Sequence, residues 1–176
     1  MNLAISGKMR SGKDTVAEYL EKKYKYSTNS FATSLKNSAG FTFNISSRDL
    51  FVDKPENVRK CLQLFGQAGR AYNPDIWVDN CFEYMNKFDL RDGKIIITDL
   101  RFKNEAKRLK EKGFKLIRIS RDRDKRVEFG LSNEDDISET DLDDYTEFDY
   151  WINNNGTKEE LFELIDTMFK EEIKWK

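Results

Sequence analysis

Residues 7–13 read Gly7-Lys8-Met9-Arg10-Ser11-Gly12-Lys13, two glycines and a lysine at the spacing G-x-x-x-x-G-K. Glycines so placed let the backbone curl until successive N–H groups point at one centre, a nest for an anion. A helix beginning at Lys13 would add the positive end of its dipole, and the Lys13 ammonium would reach the outer phosphates of a nucleotide. Gly7, Arg10, Ser11, Gly12, Lys13, Asp14 and Thr15 are therefore the candidate phosphate-binding residues. After the lysine the pattern wants Ser or Thr, whose hydroxyl ligates Mg2+. Here Asp14 stands in that place and Thr15 follows. A carboxylate binds Mg2+ directly or through water, which makes Asp14 a candidate metal ligand, while Thr15 could donate to an inner phosphate. Without the cation the carboxylate would repel the phosphates, so strongly Mg2+-dependent binding is expected.

A second constellation follows the run Lys94-Ile95-Ile96-Ile97-Thr98, which leads into Asp99-Leu100-Arg101. Beside a phosphate loop, an Asp at the tip of a neighbouring strand faces the Mg2+ and its water shell, and Arg101 would stand over the phosphates being joined. The plainer alternative is an Asp capping the next helix with its Arg in solvent. Leu62 to Arg70 reads as a helix ending in Gly66, Gly69 and Arg70. An arginine just past a helix end grips a phosphate with two prongs, or else complements the helix dipole. Phe31 and Trp77 could stack on a base or belong to the core, and Lys36 and Gln67 complete the candidate acceptor side. Arg121, Arg123 and Arg126 precede an acidic run from Glu134 to Asp144. Guanidinium groups on a closing segment would neutralise charge on a transferring phosphoryl group and exclude water.

Other chemistries are closed. The 176 residues contain no histidine, which removes Ser-His-Asp and Cys-His catalysis and His-ligated metal sites together. Two cysteines, Cys61 and Cys81, cannot build a Cys-rich zinc site, and both read as core thiols in a reducing compartment. Lys and Arg total 31 against 32 Asp and Glu, so net charge offers nothing to nucleic acid. With 13 Phe, 7 Tyr and 3 Trp there is material for a real core rather than a disordered chain. No apolar run is long enough to cross a bilayer and Met1-Asn2-Leu3 does not begin a signal peptide, so a soluble, cytoplasmic protein is expected.

The elements that must position these residues alternate. Asn2–Ser6 is an apolar strand, residues 7–12 a loop, and Val16, Ala17, Leu20 and Tyr24 recur at helical spacing to about Lys25. Residues 27–32 read as a second strand, and about 34–90 as an inserted, mostly helical stretch overhanging the site, with helices through Val58–Phe65 and Ile76–Met85. Lys94–Thr98 is a β-branched strand covered on both faces. A helix to Gly113, a strand over Phe114–Ser120 and a mobile loop or lid over 121–144 follow. A strand over Phe148–Ile152, a turn at Asn153–Gly156 and a helix over 157–172 opened by a Thr157–Glu160 capping box complete the chain. Strands alternating with helices imply an α/β protein of one domain, a parallel sheet of about five strands with helices on both faces. Ligands of such sheets lie at the carboxyl ends of the strands.

Taken in order, Ser11-Gly12-Lys13-Asp14-Thr15-Val16-Ala17, Leu62-Gln63 with Gly66 and Arg70, Pro74-Asp75-Ile76-Trp77-Val78, Thr98-Asp99-Leu100-Arg101-Phe102 with Asn104-Glu105-Ala106, and Ser138-Glu139 before Ile152–Gly156 are similar to the deoxynucleoside monophosphate kinases of tailed bacteriophages. That family is related to the adenylate-kinase type of P-loop kinase. The resemblance spans nearly the whole chain and implies a three-layer P-loop NTPase sandwich with a helical acceptor-binding insertion and a short lid. It implies transfer of the ATP γ-phosphate to a 5′-dNMP, giving dNDP and ADP with Mg2+, in the host cytoplasm if the source is a phage. Carried over, Gly7 to Thr15 would cradle ATP, Asp99 would orient Mg2+ or the acceptor, and Arg70 and Arg101 would hold the acceptor phosphate. Arg121 and Arg126 would be lid arginines, and Asn154 to Gly156 would lie near the adenine. Family members often carry a histidine shortly before the Ser-Glu pair, where this chain has Asp135-Asp136-Ile137. The partners implied are small nucleotides, neither nucleic acid nor membrane, with a homodimer left open. Two rival readings are a P-loop kinase of another small acceptor, such as a coenzyme precursor or isoprenoid phosphate, and a nucleotide-binding switch without transfer activity.

Overall fold

The computed structural model describes residues 1–87, 94–127 and 136–174; residues 88–90 of the expected helical stretch and 128–135 of the expected lid lie outside them. The chain divides into two compact units, Met1–Asn29 with Gly93–Lys176, and Ser30–Asp92. In the first unit lie strands β1 (Asn2–Ser6), β2 (Ser27–Asn29), β3 (Ile95–Leu100), β4 (Phe114–Ser120) and β5 (Tyr150–Asn153). With them are helices α1 (Lys13–Tyr24), α5 (Lys103–Glu111), α6 (Arg123–Val127), α7 (Ile137–Thr140) and α8 (Lys158–Lys174). The second unit holds α2 (Phe31–Phe43), a π turn at Asp49–Asp53, α3 (Glu56–Tyr72) and α4 (Ile76–Lys87).

The strands form one sheet in the order β2-β3-β1-β4-β5, and each neighbouring pair is parallel. Parallel strands bury both faces, which is why β1, β3 and β4 read as near-continuous apolar runs. Leu3 and Ile5 of β1, Ile96, Ile117, Ile119 and Ile152 form one face of the core with Val16 and Leu20 of α1 and Leu161, Ile165 and Met168 of α8. Each such side chain, fully buried, contributes about 1.5–3 kcal/mol of transfer free energy. On the opposite face Ala106 and Leu109 of α5 are fully buried, and α5 packs on β4. Tyr19 stacks on Phe162 and Tyr24 on Phe169, clamping α1 to α8, while Asp166 accepts hydrogen bonds from both tyrosines and from Lys23. Burial and that carboxylate push the Tyr24 phenol up to about 12. Among the described residues no helix is long and apolar enough to cross a membrane.

Several boundaries differ from the sequence reading: β3 runs on through Asp99 to Leu100, and β5 is Tyr150–Asn153 rather than Phe148–Ile152. The second strand is only Ser27–Asn29, because Ser30 caps the next helix: its Oγ accepts from the Thr33 amide at 3.1 Å. Phe31 therefore opens α2. Helix α3 runs on to Tyr72, so Gly66, Gly69 and Arg70 lie within it rather than past its end. Gly69 makes room for Trp77, whose ring occupies the space a Cβ there would need and whose indole N–H donates to the Gly66 carbonyl at 3.2 Å. Residues 136–144 are anchored rather than loose: Leu142 is 2% exposed and Glu139 is buried. The capping box that opens α8 forms as read, Thr157 N–H donating to Glu160 at 2.7 Å and Glu160 N–H to Thr157 Oγ1 at 3.2 Å.

Candidate active site

Because every strand pair is parallel, the loops after β1, β3 and β4 leave the same edge of the sheet side by side, with β1 in the centre. The loop after β1 is the glycine-rich one. A Cβ on Gly7 would collide with the Ile119 carbonyl oxygen and the Ser11 hydroxyl, and one on Gly12 with the Asn154 amide. Gly12 also holds φ at 99° and Arg10 at 64°, left-handed backbone that lets the loop reverse. Gly12→Ala should cost about 1–2 kcal/mol from conformation alone; with the Asn154 collision added, we expect lowered thermal stability together with loss of polyphosphate binding by calorimetry. The Ser11 hydroxyl is buried and has no hydrogen-bond partner among the described residues. A buried hydroxyl of that kind is a donor held ready for an acceptor that the protein itself does not provide.

Lys13 opens α1 and folds back, its Nζ donating to the Gly7 carbonyl at 2.5 Å and the Lys8 carbonyl at 2.9 Å. Burial, the Arg101 charge and the Arg118 charge together pull its pKa down to about 8, against the opposing pull of Glu139 and Asp14. An arriving phosphate would restore the ammonium's charge. Asp14 is exposed on the first turn of α1 and Asp99 is half-buried near the end of β3.

Arg101 follows β3 directly. The Glu105 carboxylate accepts the backbone N–H of Arg101 at 2.8 Å and of Phe102 at 3.0 Å, which fixes the turn that presents the guanidinium. Arg101 Nη1 then pairs with Glu139 Oε1 at 2.5 Å and donates to the Ser138 hydroxyl at 3.3 Å. The other oxygen of Glu139 accepts the Met9 N–H of the phosphate loop at 2.7 Å. Arg101 and the loop thus share one site.

On the β4 side, Lys8, Ser11, Arg118, Arg121 and Arg126 line a cavity of about 250 Å3. Arg118 is the residue the sequence reading missed. It is nearly buried, donates to Ser6 Oγ at 2.9 Å, and pairs with Asp143 Oδ1 at 3.1 Å. A charged residue inside the apolar run Leu116-Ile117-Arg118-Ile119 was the available signal, since burying an arginine demands a partner. Asp143 also pairs with Lys8 at 2.6 Å. Arg126 braces the site through backbone: its Nε donates to the Arg121 carbonyl at 3.2 Å and its Nη1 to the Met9 carbonyl at 3.4 Å. Asn154, expected beside the adenine, is buried and gives its amide to the Ser11 carbonyl at 2.8 Å, a strut under the loop. Gly156 is exposed in the turn that follows, where Asn155 accepts the Asp122 N–H at 2.8 Å.

The expected acceptor residues Phe31, Lys36, Gln67, Arg70 and Trp77 all belong to the helical unit. Phe31 and Trp77 are buried there, Trp77 against Phe65 and Gly69, which is the core alternative for that ring. Lys36 lies 5.0 Å from the Phe51 ring, Gln67 is exposed, and the Arg70 guanidinium lies against Gly66.

A five-stranded parallel sheet with a glycine-rich phosphate loop between its central strand and the following helix defines the P-loop NTPase fold. Shikimate kinase from Aquifex aeolicus shares it with a TM-score of 0.56 at 16% identity, covering 98% of this chain and 99% of that one. TT1252 from Thermus thermophilus does so with a TM-score of 0.58 at 18% identity, covering 97% of each. Within that class, a sequence model of deoxynucleotide monophosphate kinase matches residues 46–165, and the chain belongs to that family of enzymes. The phosphate loop precedes the matched residues, so the two observations are independent. Two viral proteins are similar along the chain. "Uncharacterized protein ORF76" of Ictalurid herpesvirus 1 is 32% identical over 88% of this chain, which spans 61% of that protein's length. "Putative deoxynucleotide monophosphate kinase" of Acanthamoeba polyphaga mimivirus is 28% identical over 93% of each.

Proposed function

We propose that the protein transfers the γ-phosphoryl group of ATP to a 5′-deoxynucleoside monophosphate, releasing dNDP and ADP, in a Mg2+-dependent reaction. The observation that carries this reading is the meeting of Arg101 and the Met9 amide of the phosphate loop at one carboxylate, Glu139, with Lys13 folded onto the same loop. The family match supplies the acceptor class. An oxygen of the acceptor phosphate attacks the γ-phosphorus in line, and the bond from that phosphorus to the β-bridging oxygen breaks. A phosphate oxygen is already nucleophilic near neutral pH, so a chain without histidine lacks nothing essential. Alignment and charge neutralisation do the work. Lys13 binds the outer phosphates of the donor, Arg101 spans donor and acceptor, and Arg118, Arg121 and Arg126 form the positive wall on the β4 side.

The residues suit Mg2+. Among the described residues no cluster of three metal-binding side chains exists. Mg2+ prefers to keep several waters and to bind through one or two carboxylates plus substrate phosphates. Asp14 and Asp99, one on the loop's helix and one on the adjacent strand, are the carboxylates that would hold it, directly or through water. When bound, the ion would supply charge neutralisation across the β- and γ-phosphates.

Release of ADP should be followed with ATP, Mg2+ and each dNMP and NMP in turn. At least one dNMP is expected to raise ADP release far above the ATP-only rate, and EDTA to abolish it. Slow hydrolysis indifferent to every mononucleotide would instead indicate a nucleotide switch and overturn the reading.

A further inference from the structure

The acidic segment that reads as a solvated charge run in sequence is seated on the phosphate site. Helix α7 is a single turn whose second amide is capped, Ser138 N–H donating to Asp136 at 2.8 Å. Glu139 on that turn takes the Met9 N–H and the Arg101 guanidinium. Asp143, one turn further, takes Lys8 and Arg118. The segment is tethered at its flank, where Asp141 accepts the Lys103 N–H at 2.7 Å and Asp144 pairs with the Lys103 ammonium at 2.7 Å. The groups that Glu139 and Asp143 hold are all of the kind that binds phosphate: a loop amide, a loop lysine and two guanidiniums. Carboxylate and phosphate oxygens compete for such donors because they accept with the same charge-assisted geometry.

We propose that residues 136–144 are an internal stand-in for the substrate phosphates, an acidic strap whose Glu139 and Asp143 neutralise the site's cations and are displaced when a polyphosphate enters. The proposal rests on the reading of this cleft as a phosphate site and adds its regulation. The cations of the site would otherwise repel one another: Lys13 feels the charges of Arg101 and Arg118 as well as that of Glu139. With the strap in place they are held close to the loop without a ligand. The same carboxylates lower the site's affinity for any anion too weak to displace them, so inorganic phosphate is rejected and a nucleotide polyphosphate is accepted.

The test is calorimetric titration of the ligand-free protein with inorganic tripolyphosphate in the absence of divalent cations. Glu139→Gln and Asp143→Asn should each bind tripolyphosphate about tenfold more tightly than wild type, a difference of about 1.4 kcal/mol. Equal or weaker binding by variants that keep the wild-type melting temperature would overturn the proposal and make both residues positioning groups for Arg101 and Arg118. A second measurement needs no variant: saturating tripolyphosphate should increase amide hydrogen exchange over residues 137–144 of the wild-type protein. Unchanged or slower exchange there would equally overturn displacement. Failure of the kinase reading is distinguishable, because it shows as absent dNMP-dependent ADP release while the tightened tripolyphosphate binding persists.

Discussion

Lys13→Met is expected to lower kcat by on the order of 10³-fold while the melting temperature stays equal to or above that of wild type. The magnitude follows from the loss of one preorganised charge at the transferring phosphoryl group, in a site where such groups contribute about 10³-fold or more. The direction of the stability change follows from the surroundings. Lys13 is half-buried in the field of Arg101, and both facts disfavour its charge, pulling its pKa down to about 8. Methionine keeps much of the chain length and apolar volume without the ammonium. It gives up two hydrogen bonds, to the Gly7 and Lys8 carbonyls, of which the Lys8 carbonyl keeps the Ser11 N–H at 3.1 Å. Steady-state kinetics with a dNMP and a thermal melt on the same preparation check both halves. A variant retaining kcat within tenfold of wild type would remove Lys13 from the phosphate chemistry.

Arg101→Ala should lower kcat/KM by a similar factor, on the order of 10³, and Arg101→Lys should recover little of it. The reason lies in how the side chain is presented. Glu105 locks the two amides of the turn, so the guanidinium departs from a fixed point, and it binds Glu139 at 2.5 Å while also reaching Ser138. A planar fork can grip two oxygens at once, on one phosphate or on two, whereas an ammonium offers a point charge on a flexible stem. Kinetics of the two variants against wild type, with donor and acceptor varied separately, decide it. Full recovery by lysine would mean that charge alone matters at this position.

The parts of this site that follow one another along the chain were legible in the sequence. Gly7 to Thr15 and Asp99 to Arg101 are local patterns, and apolar strands alternating with helices sufficed to place both at the carboxyl edge of a parallel sheet. What could not be read was pairing across long sequence separations. Arg118 meets Asp143, and Glu139 meets Met9 and Arg101, only because β1, β3 and β4 lie side by side. A one-dimensional pattern makes such carboxylates look like solvated surface, which is what acidic runs usually are. The helical unit misled for a different reason. Gly66 and Gly69 resemble helix-ending signals, yet both lie inside α3, and the volume Gly69 vacates is taken by an indole from α4. Glycine's two uses, turning a chain and admitting a neighbour, have one spelling.

The pairing of β1 with β3 carries a consequence of its own. Leu3 lies opposite Ile96 and Ala4 opposite Ile97, but Ser6 lies opposite Leu100, so β3 spends one residue more than its partner between those points. In a pleated strand an added residue reverses which way everything beyond it faces. Leu100 is thereby carried to the face that Ile97 occupies, where an unbroken ladder would have put it on the other one, and the turn that leads to Arg101 starts from that shifted position. Shortening the chain by a single residue at Thr98 would leave the composition of this corner almost untouched and send Leu100 to the other helix layer.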